Sequence, residues 1–501
     1  MSTKDTNLTA GPLTPGPSPA RGERSDESRH LDGGLQQGGA LQHGVAAPGV
    51  HPHAVPAVGA DSAAKNPGAE IDYRLFQDCV HCGLCTAACP TYVETGNEND
   101  SPRGRIYLMR SVTDGRLELT HEVRRHLELC LDCRACETAC PSGVQYGKLI
   151  EPFRVAMEHT GDGEHKSQDW FHRWILFRLF PYPGRMRAAL VPARVAQFLR
   201  LDRLAENLGL LRLLPPRLRQ LARMLPPAEK SEPRLPHVLP AIGKRRARVA
   251  LFTGCVGDAI FRHTNWATAR VLQQNGCEVV VPAGQACCGA IHFHAGSSDP
   301  AREFADMNTA AFDTTAFDTA AFDAADVDAV IVNVAGCGAM LKDYGHHWRD
   351  ELQPVREKFA KKVRDINEFL DGLGLVPPPG RIELVATYHD ACHLAHAQKI
   401  REAPRRLLAA IPGLTLKDLP ETELCCGAAG TYNLTEPEMA ERLSRRKLQN
   451  ILSTGASVVV TANAGCLLQI AREARAQGHR LRVVHPMDLL DLSYRGEQPK
   501  R

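Results

Sequence analysis

The chain has 501 residues, of which 43% are hydrophobic and 23% charged, and its 60 Lys and Arg against 57 Asp and Glu leave a net charge of +3. This length allows two to four domains with real cores, and so even a balance argues against a nucleic-acid-binding protein. Seventeen cysteines without an apolar leader near Met1 indicate metal-binding thiols in a reducing, cytoplasmic setting rather than disulfides, and no apolar run is long enough for a membrane span.

Residues 1–70 are rich in Gly, Pro, Ala and Ser, with scattered His43, His51 and His53. Such a segment buries too little apolar surface to offset its ordering entropy, and disorder is expected. Residues 71–160 then carry two copies of one phrase, C-V-H-C-G-L-C-T-A-A-C-P from Cys79 and C-L-D-C-R-A-C-E-T-A-C-P from Cys130. Both read C-x2-C-x2-C-x3-C-P, the run that holds 4Fe–4S clusters in two-cluster ferredoxins, where the fourth cysteine of each run crosses to the other cluster. The expected sets are Cys79, Cys82, Cys85 with Cys140, and Cys130, Cys133, Cys136 with Cys89. Zinc ribbons share the C-x2-C pairs, but zinc needs only four ligands and each run already contains four cysteines. Between the runs, Arg103, Arg105 and Arg110 are candidates to offset cluster charge or to form a solvated face. Helices are expected over His121–Leu129 and Lys148–His159.

Residues 161–245 are expected to form a basic helical linker, with eleven arginines against two acids between Trp170 and Arg223. Its apolar residues (Trp170, Phe171, Trp174, Leu176 and Phe180 among them) suit packing on the same protein, with arginines snorkelling to solvent. An exposed remainder would suit a partner or an anionic membrane face.

From Arg248 the pattern alternates. Strands are expected at Val249–Phe252, Glu278–Val281, Ala329–Val334, Ile382–Thr387 and Ser457–Thr461, and helices at Phe261–Gln274, Glu436–Leu452 and Leu467–Ala476. This predicts α/β architecture with largely parallel strands. The region also repeats itself. Cys255, Cys287-Cys288-Gly289-Ala290 and Ala335-Gly336-Cys337 recur as Cys392, Cys425-Cys426-Gly427-Ala428 and Ala464-Gly465-Cys466. A tandem A-F-D expansion between Ala311 and Asp323 lengthens the first half. Two α/β domains, 246–375 and 376–495, are therefore expected. In open α/β sheets, sites form beyond the carboxyl ends of strands, which makes Cys255, Cys287, Cys288, Cys337, Cys392, Cys425, Cys426 and Cys466 candidates for one or two further clusters. Cys277, without a counterpart, is read as a core residue. His389, Asp390, His393 and His396 surround Cys392, where they could tune or ligate a cluster or serve turns and caps.

The two ferredoxin-type runs with D-S-P-R-G-R-I-Y-L and C-P-S-G-V-Q-Y resemble the iron–sulfur subunit of bacterial glycolate oxidase (glycolate dehydrogenase). The C-terminal half resembles the cysteine-rich CCG domains shared with lactate-oxidation iron–sulfur proteins and heterodisulfide reductase. The resemblance implies that FAD-containing partner subunits oxidise glycolate to glyoxylate, while this chain relays electrons towards a quinone, with no catalytic residue of its own. The expected location is cytoplasmic, with room for peripheral attachment on the inner face of the cell membrane. Lactate-oxidising or heterodisulfide-reductase-like complexes are the rival readings. In the latter branch a final C-x2-C completes each CCG site, but Met340 and Gln469 stand where its second cysteine would be, which counts against disulfide-reducing chemistry. No G-x-G-x-x-G follows a predicted strand, so no dinucleotide site is expected.

Overall fold

The computed structural model describes residues 66–160, 169–201, 204–205, 208–227, 232–313 and 327–499. The expected N-terminal extension up to residue 65, and the A-F-D units from residue 314 onward, lie outside the described residues.

The N-terminal part is helical, with the two cysteine runs as loops between short helices. Helix α1 (Pro102–Thr113) starts with proline at its first position, where no amide is needed, and with Ser101 accepting from Gly104 N at 3.0 Å. Helix α2 (His121–Glu128) is capped by Thr120, and α3 (Gly147–His159) follows the second run. Their shared core contains Phe76, Met109, Leu127, Ile150 and Phe153 together with Cys130 and Cys136.

The linker contributes α4 (Pro183–Phe198) and α5 (Pro216–Met224) after a π turn over Phe171–Leu176. Phe171, Leu176, Met186 and Met224 are buried, while Trp170, Trp174, Phe198 and Leu213 are exposed. Arg187 pairs with Asp258 and fastens α4 to the α/β part, so the linker packs on its own chain along one side only.

Two sheets follow. The first comprises β1 (Val238–Leu239), β2 (Ala247–Phe252), β3 (Cys277–Val280), β4 (Ala329–Val332) and β5 (Val363–Asp365), in the order β1-β3-β2-β4-β5. Only β1 runs antiparallel to its neighbour. The second comprises β6 (Leu384–Tyr388), β7 (Leu414–Lys417), β8 (Val458–Val460) and β9 (Arg482–Val484), all parallel, in the order β7-β6-β8-β9. Leaving β1 aside, the two orders are the same, so the sequence duplication is a structural one. The central strands A-V-I-V and V-V-V are buried throughout, as expected when helices cover both faces of a parallel sheet. At the edge, β7 alternates between half-buried and exposed residues.

The halves also interlock. Helix α6 (Arg262–Gln274) of the first half packs on α12 (Pro486–Arg495), the last helix of the second. In return α8 (Ile366–Leu373), the last helix of the first half, packs on α9 (Glu402–Ala409) of the second. Asp365 ends β5 and His485 follows β9, and each caps the next helix in a capping box. One hydrophobic core runs through both sheets, with Val249, Ile331, Ile366, Ile382, Val458 and Met487 in a single cluster.

Candidate iron–sulfur centres

Cys79, Cys82, Cys85 and Cys140 line one small cavity, together with Arg103 and Tyr146, and Cys136 reaches it from the adjoining set. Cys89, Cys130, Cys133 and Cys136 line another, with Arg105. The fourth cysteine of each run thus lies with the first three of the other. The first set is open, with Cys82 exposed and Cys79, Cys85 and Cys140 half-buried; all four thiols of the second are buried. Arg103 Nη1 donates to His81 O at 3.0 Å and steadies the first loop. Arg105 is fully buried beside the second set, its Nη1 3.8 Å from Cys89 Sγ and its Nη2 3.0 Å from Thr91 Oγ1. Tyr146 Oη donates to Cys130 Sγ at 3.6 Å. Arg110 turns away towards Tyr73 and Asp114, so of the three arginines only Arg103 and Arg105 serve the cysteine loops.

In the α/β half, every candidate thiol sits just beyond a strand. Cys255 and Cys392 follow β2 and β6, and Cys337 and Cys466 lie in the first turns of α7 (Ala335–His347) and α11 (Ala464–Ala476), after β4 and β8. The Cys-Cys-Gly turns follow β3 and β7. Gly289 and Gly427 adopt φ of +85° and +84°, and a Cβ would stand 3.0 Å from Ala301 O in one and 2.7 Å from Ala440 O of α10 (Pro437–Ser453) in the other. Only glycine satisfies both the left-handed backbone and the close approach of the next helix. Asn308 locks the first turn by donating to Cys287 O at 2.9 Å and accepting from Ala286 N at 2.8 Å.

Cys255 Sγ and Cys287 Sγ are 3.5 Å apart, too far for a disulfide bond, and all seventeen cysteines are free. Cys287 and Cys288 affect each other's acidity in opposite directions, as do Cys425 and Cys426. Cys466 is brought down to about 5 by the thiol of Cys426 and, more weakly, by His389. Burial pushes Cys133 and Cys136 well up. Burial thus disfavours bare thiolates at Cys133 and Cys136, where a bound iron–sulfur cluster would supply compensating cations, while the lowered Cys466 favours the thiolate form that ligates metal. The donor sets therefore fit the group. Cys277 is fully buried in the core with no thiol near it.

A cavity of about 380 Å³ opens between the two α/β halves, lined by thiols of both, by His294 and His393, and by Leu179, Phe180 and Leu221 of the linker. The second ferredoxin-type set reaches this region directly. Cys133 packs in one buried cluster with Cys392 and Cys425, and Tyr432 Oη donates to Leu129 O at 2.9 Å. Sequence reasoning missed a buried polar knot here. Arg134 bonds Glu151 at 2.5 Å and Asp343 at 3.1 Å, and His294 stands 3.3 Å from Asp132. Only the place of Asp132 and Arg134 inside the second run hinted at it.

Of the four polar residues around Cys392, Asp390 is spoken for by Arg405 at 2.8 and 2.9 Å. His393 contacts Asp132 O at 2.9 Å, and His396 uses both ring nitrogens on Thr138 and Glu423. His389 is buried with neither ring nitrogen on a nitrogen or oxygen partner.

A 4Fe-4S dicluster domain model matches residues 76–144, and a cysteine-rich domain (CCG) model matches 249–342 and 386–471. Fold and thiol sets together define an iron–sulfur protein in which a two-cluster ferredoxin-like region precedes a duplicated cysteine-rich one. Residues 167–225 match the linker region of the glycolate oxidase iron–sulfur subunit. The chain is 40% identical over 429 residues to the probable glycolate oxidase iron–sulfur subunit of Bacillus subtilis (strain 168), covering 84% of this chain and 94% of that one. It is 34% identical over 411 residues to the glycolate oxidase iron–sulfur subunit of Escherichia coli (strain K12), covering 80% and 91%. Lactate utilization protein A of an Exiguobacterium species is 31% identical over 247 residues, 96% of its own length but only 48% of this chain. The chain belongs to the family of glycolate oxidase iron–sulfur subunits.

Proposed function

We propose that this chain is the electron-transfer subunit of a glycolate-oxidising complex, receiving electrons from an FAD-containing subunit that converts glycolate to glyoxylate and passing them towards a quinone. One observation carries the reading: Cys133 shares one buried cluster with Cys392 and Cys425, which brings the ferredoxin-type thiols together with those of the cysteine-rich half. Clusters held by Cys79, Cys82, Cys85 and Cys140, by Cys89, Cys130, Cys133 and Cys136, and by the cysteine-rich sets would supply one-electron transfer. The protein's own part is placement. The exposed loop of Cys82 brings the first set to the surface, where a partner can approach, and Arg105 places a buried cation beside the second.

Hydride removal falls to the partner, because the sequence has no dinucleotide fingerprint and glycolate would bind there rather than here. Among the described residues no helix is long and apolar enough to cross a membrane. The exposed Trp174, Phe198 and Leu213 of the arginine-rich linker suit peripheral attachment at the inner face of the cell membrane, where quinone resides.

The test is anaerobic co-purification with the flavin-containing subunits while visible absorption is followed. Bleaching of iron–sulfur absorption by glycolate, only with those subunits present, is the expected result. Bleaching by lactate and not by glycolate would move the chain to a lactate-oxidising complex.

A further inference from the structure

The two cysteine-rich sites are built alike except at one position. Three residues before Cys255, at the end of β2, stands Phe252; three residues before Cys392 stands His389. Phe252 is buried against Phe312, with ring centroids 6.2 Å apart. His389 is fixed by its backbone, whose N–H donates to Val460 O at 2.9 Å, and its side chain is 0% exposed. One ring nitrogen and the sulfurs of Cys426 and Cys466 all lie within 4.8 Å of one another. Neither nitrogen has another polar partner, although burying an unpaired imidazole costs free energy. Gln469 cannot take this place, since its side chain accepts from Asn433 at 3.0 Å and donates to Ala440 O at 3.3 Å.

We infer that His389 is a ligand of the cofactor in the second cysteine-rich site, a fifth donor beside Cys392, Cys425, Cys426 and Cys466 that the first site lacks. The inference rests on the reading that this site holds an iron–sulfur cluster. A neutral imidazole adds a donor without adding negative charge, and nitrogen ligation raises the potential of iron–sulfur centres. The two sites are therefore unequal. The second, whose Cys392 and Cys425 share a buried cluster with Cys133, is the more readily reduced.

The test uses the anaerobically purified full chain, grown with 15N-histidine and poised where its cysteine-rich centre is paramagnetic, and reads electron spin-echo modulation alongside iron content. The expected result is a histidine nitrogen coupling that is lost in His389→Phe, the residue of the first half, and in the milder His389→Gln should the phenylalanine variant not fold. Iron well above about eight per chain, the content of two cubanes, with no histidine coupling would overturn the assignment. So would a coupling undiminished in both variants. Iron of only about eight would instead overturn the loaded site on which the assignment rests, and the assignment with it.

Discussion

Cys133 and Cys425 share one buried cluster although one belongs to the ferredoxin-type loops and the other to the second Cys-Cys-Gly turn. Around this contact Arg446 meets Glu94 at 3.3 Å and Arg125 meets Glu436 at 2.7 Å. The ferredoxin-like region is thus fastened to the second α/β half through apolar packing ringed by ion pairs.

Arg105 is a buried cation beside Cys89 and Cys130 of the second ferredoxin-type set. Burial works against its charge, but Cys130, Tyr146, Cys89 and Asp100 more than offset that and keep the guanidinium protonated. Arg105→Met leaves Asp100 to His126 alone (2.8 Å). The expected cost is about 3–5 kcal/mol of stability, as for a broken buried pair, together with a negative shift in the potential of that centre. A redox titration followed by electron paramagnetic resonance checks the second effect, and an unchanged potential would separate Arg105 from the cluster.

Gly427→Ala is expected to destabilise by at least about 2 kcal/mol, from the left-handed backbone and the 2.7 Å approach to Ala440 O, and to lower iron content by distorting the Cys425–Cys426 turn. Gly455→Ala, at φ +69° in open space, should cost about 1 kcal/mol and leave iron unchanged. Urea unfolding and iron assay of both variants make the comparison. Equal losses would mean that the helix approach is irrelevant.

His292 stacks on Phe177 of the linker, with ring centroids 4.5 Å apart. Burial lowers its pKa from 6.5 to about 4, with Cys288 opposing weakly. The unfolded chain binds this proton below about pH 6.5 and the folded chain only below about 4. The corresponding stability is present above 6.5 and lost as pH falls through that window, about 3 kcal/mol in all. His347 and His485, each near 3 through burial, act in the same direction. The measurement is therefore the difference between wild type and His292→Phe, whose unfolding free energy should fall less between pH 6.5 and 4. Parallel pH profiles would contradict the assignment.

Cys277→Ala should leave iron content unchanged and cost about 1–2 kcal/mol of core packing. Its thiol, pushed up to about 11 by burial, should resist alkylation in the folded protein at pH 8. Loss of iron would place it among the ligands.

Much of this was legible in the sequence because cysteine spacing survives where periodicity is weak. The repeated Cys-Cys-Gly turns announced two matching sheets. V-A-L-F, A-V-I-V and V-V-V read as buried strands because helices cover both of their faces. Strands β1, β5, β7 and β9 were not read from the sequence, since runs of two to four residues such as V-R-D or L-T-L-K carry too little period. The expected strand Ile382–Thr387 begins later, at Leu384, because Ile382 N instead donates to Pro412 O, ahead of β7, while Leu384 N turns back on Ile382 O. The four polar residues around Cys392 looked equivalent until Arg405, Asp132 and Glu423, all distant in sequence, engaged three of them. The meeting of Cys133 with Cys425 depends on how the chain returns upon itself, which no local pattern encodes.

The most direct test of electron relay is Cys82→Ala in the complete complex, supplied anaerobically with glycolate and a soluble quinone analogue. Cys82 is the exposed member of the first set, so its loss should remove about four irons without disturbing the core. The account predicts that glycolate still reduces the flavin while quinone reduction collapses. Quinone reduction at the wild-type rate, or loss of flavin reduction itself, would contradict it.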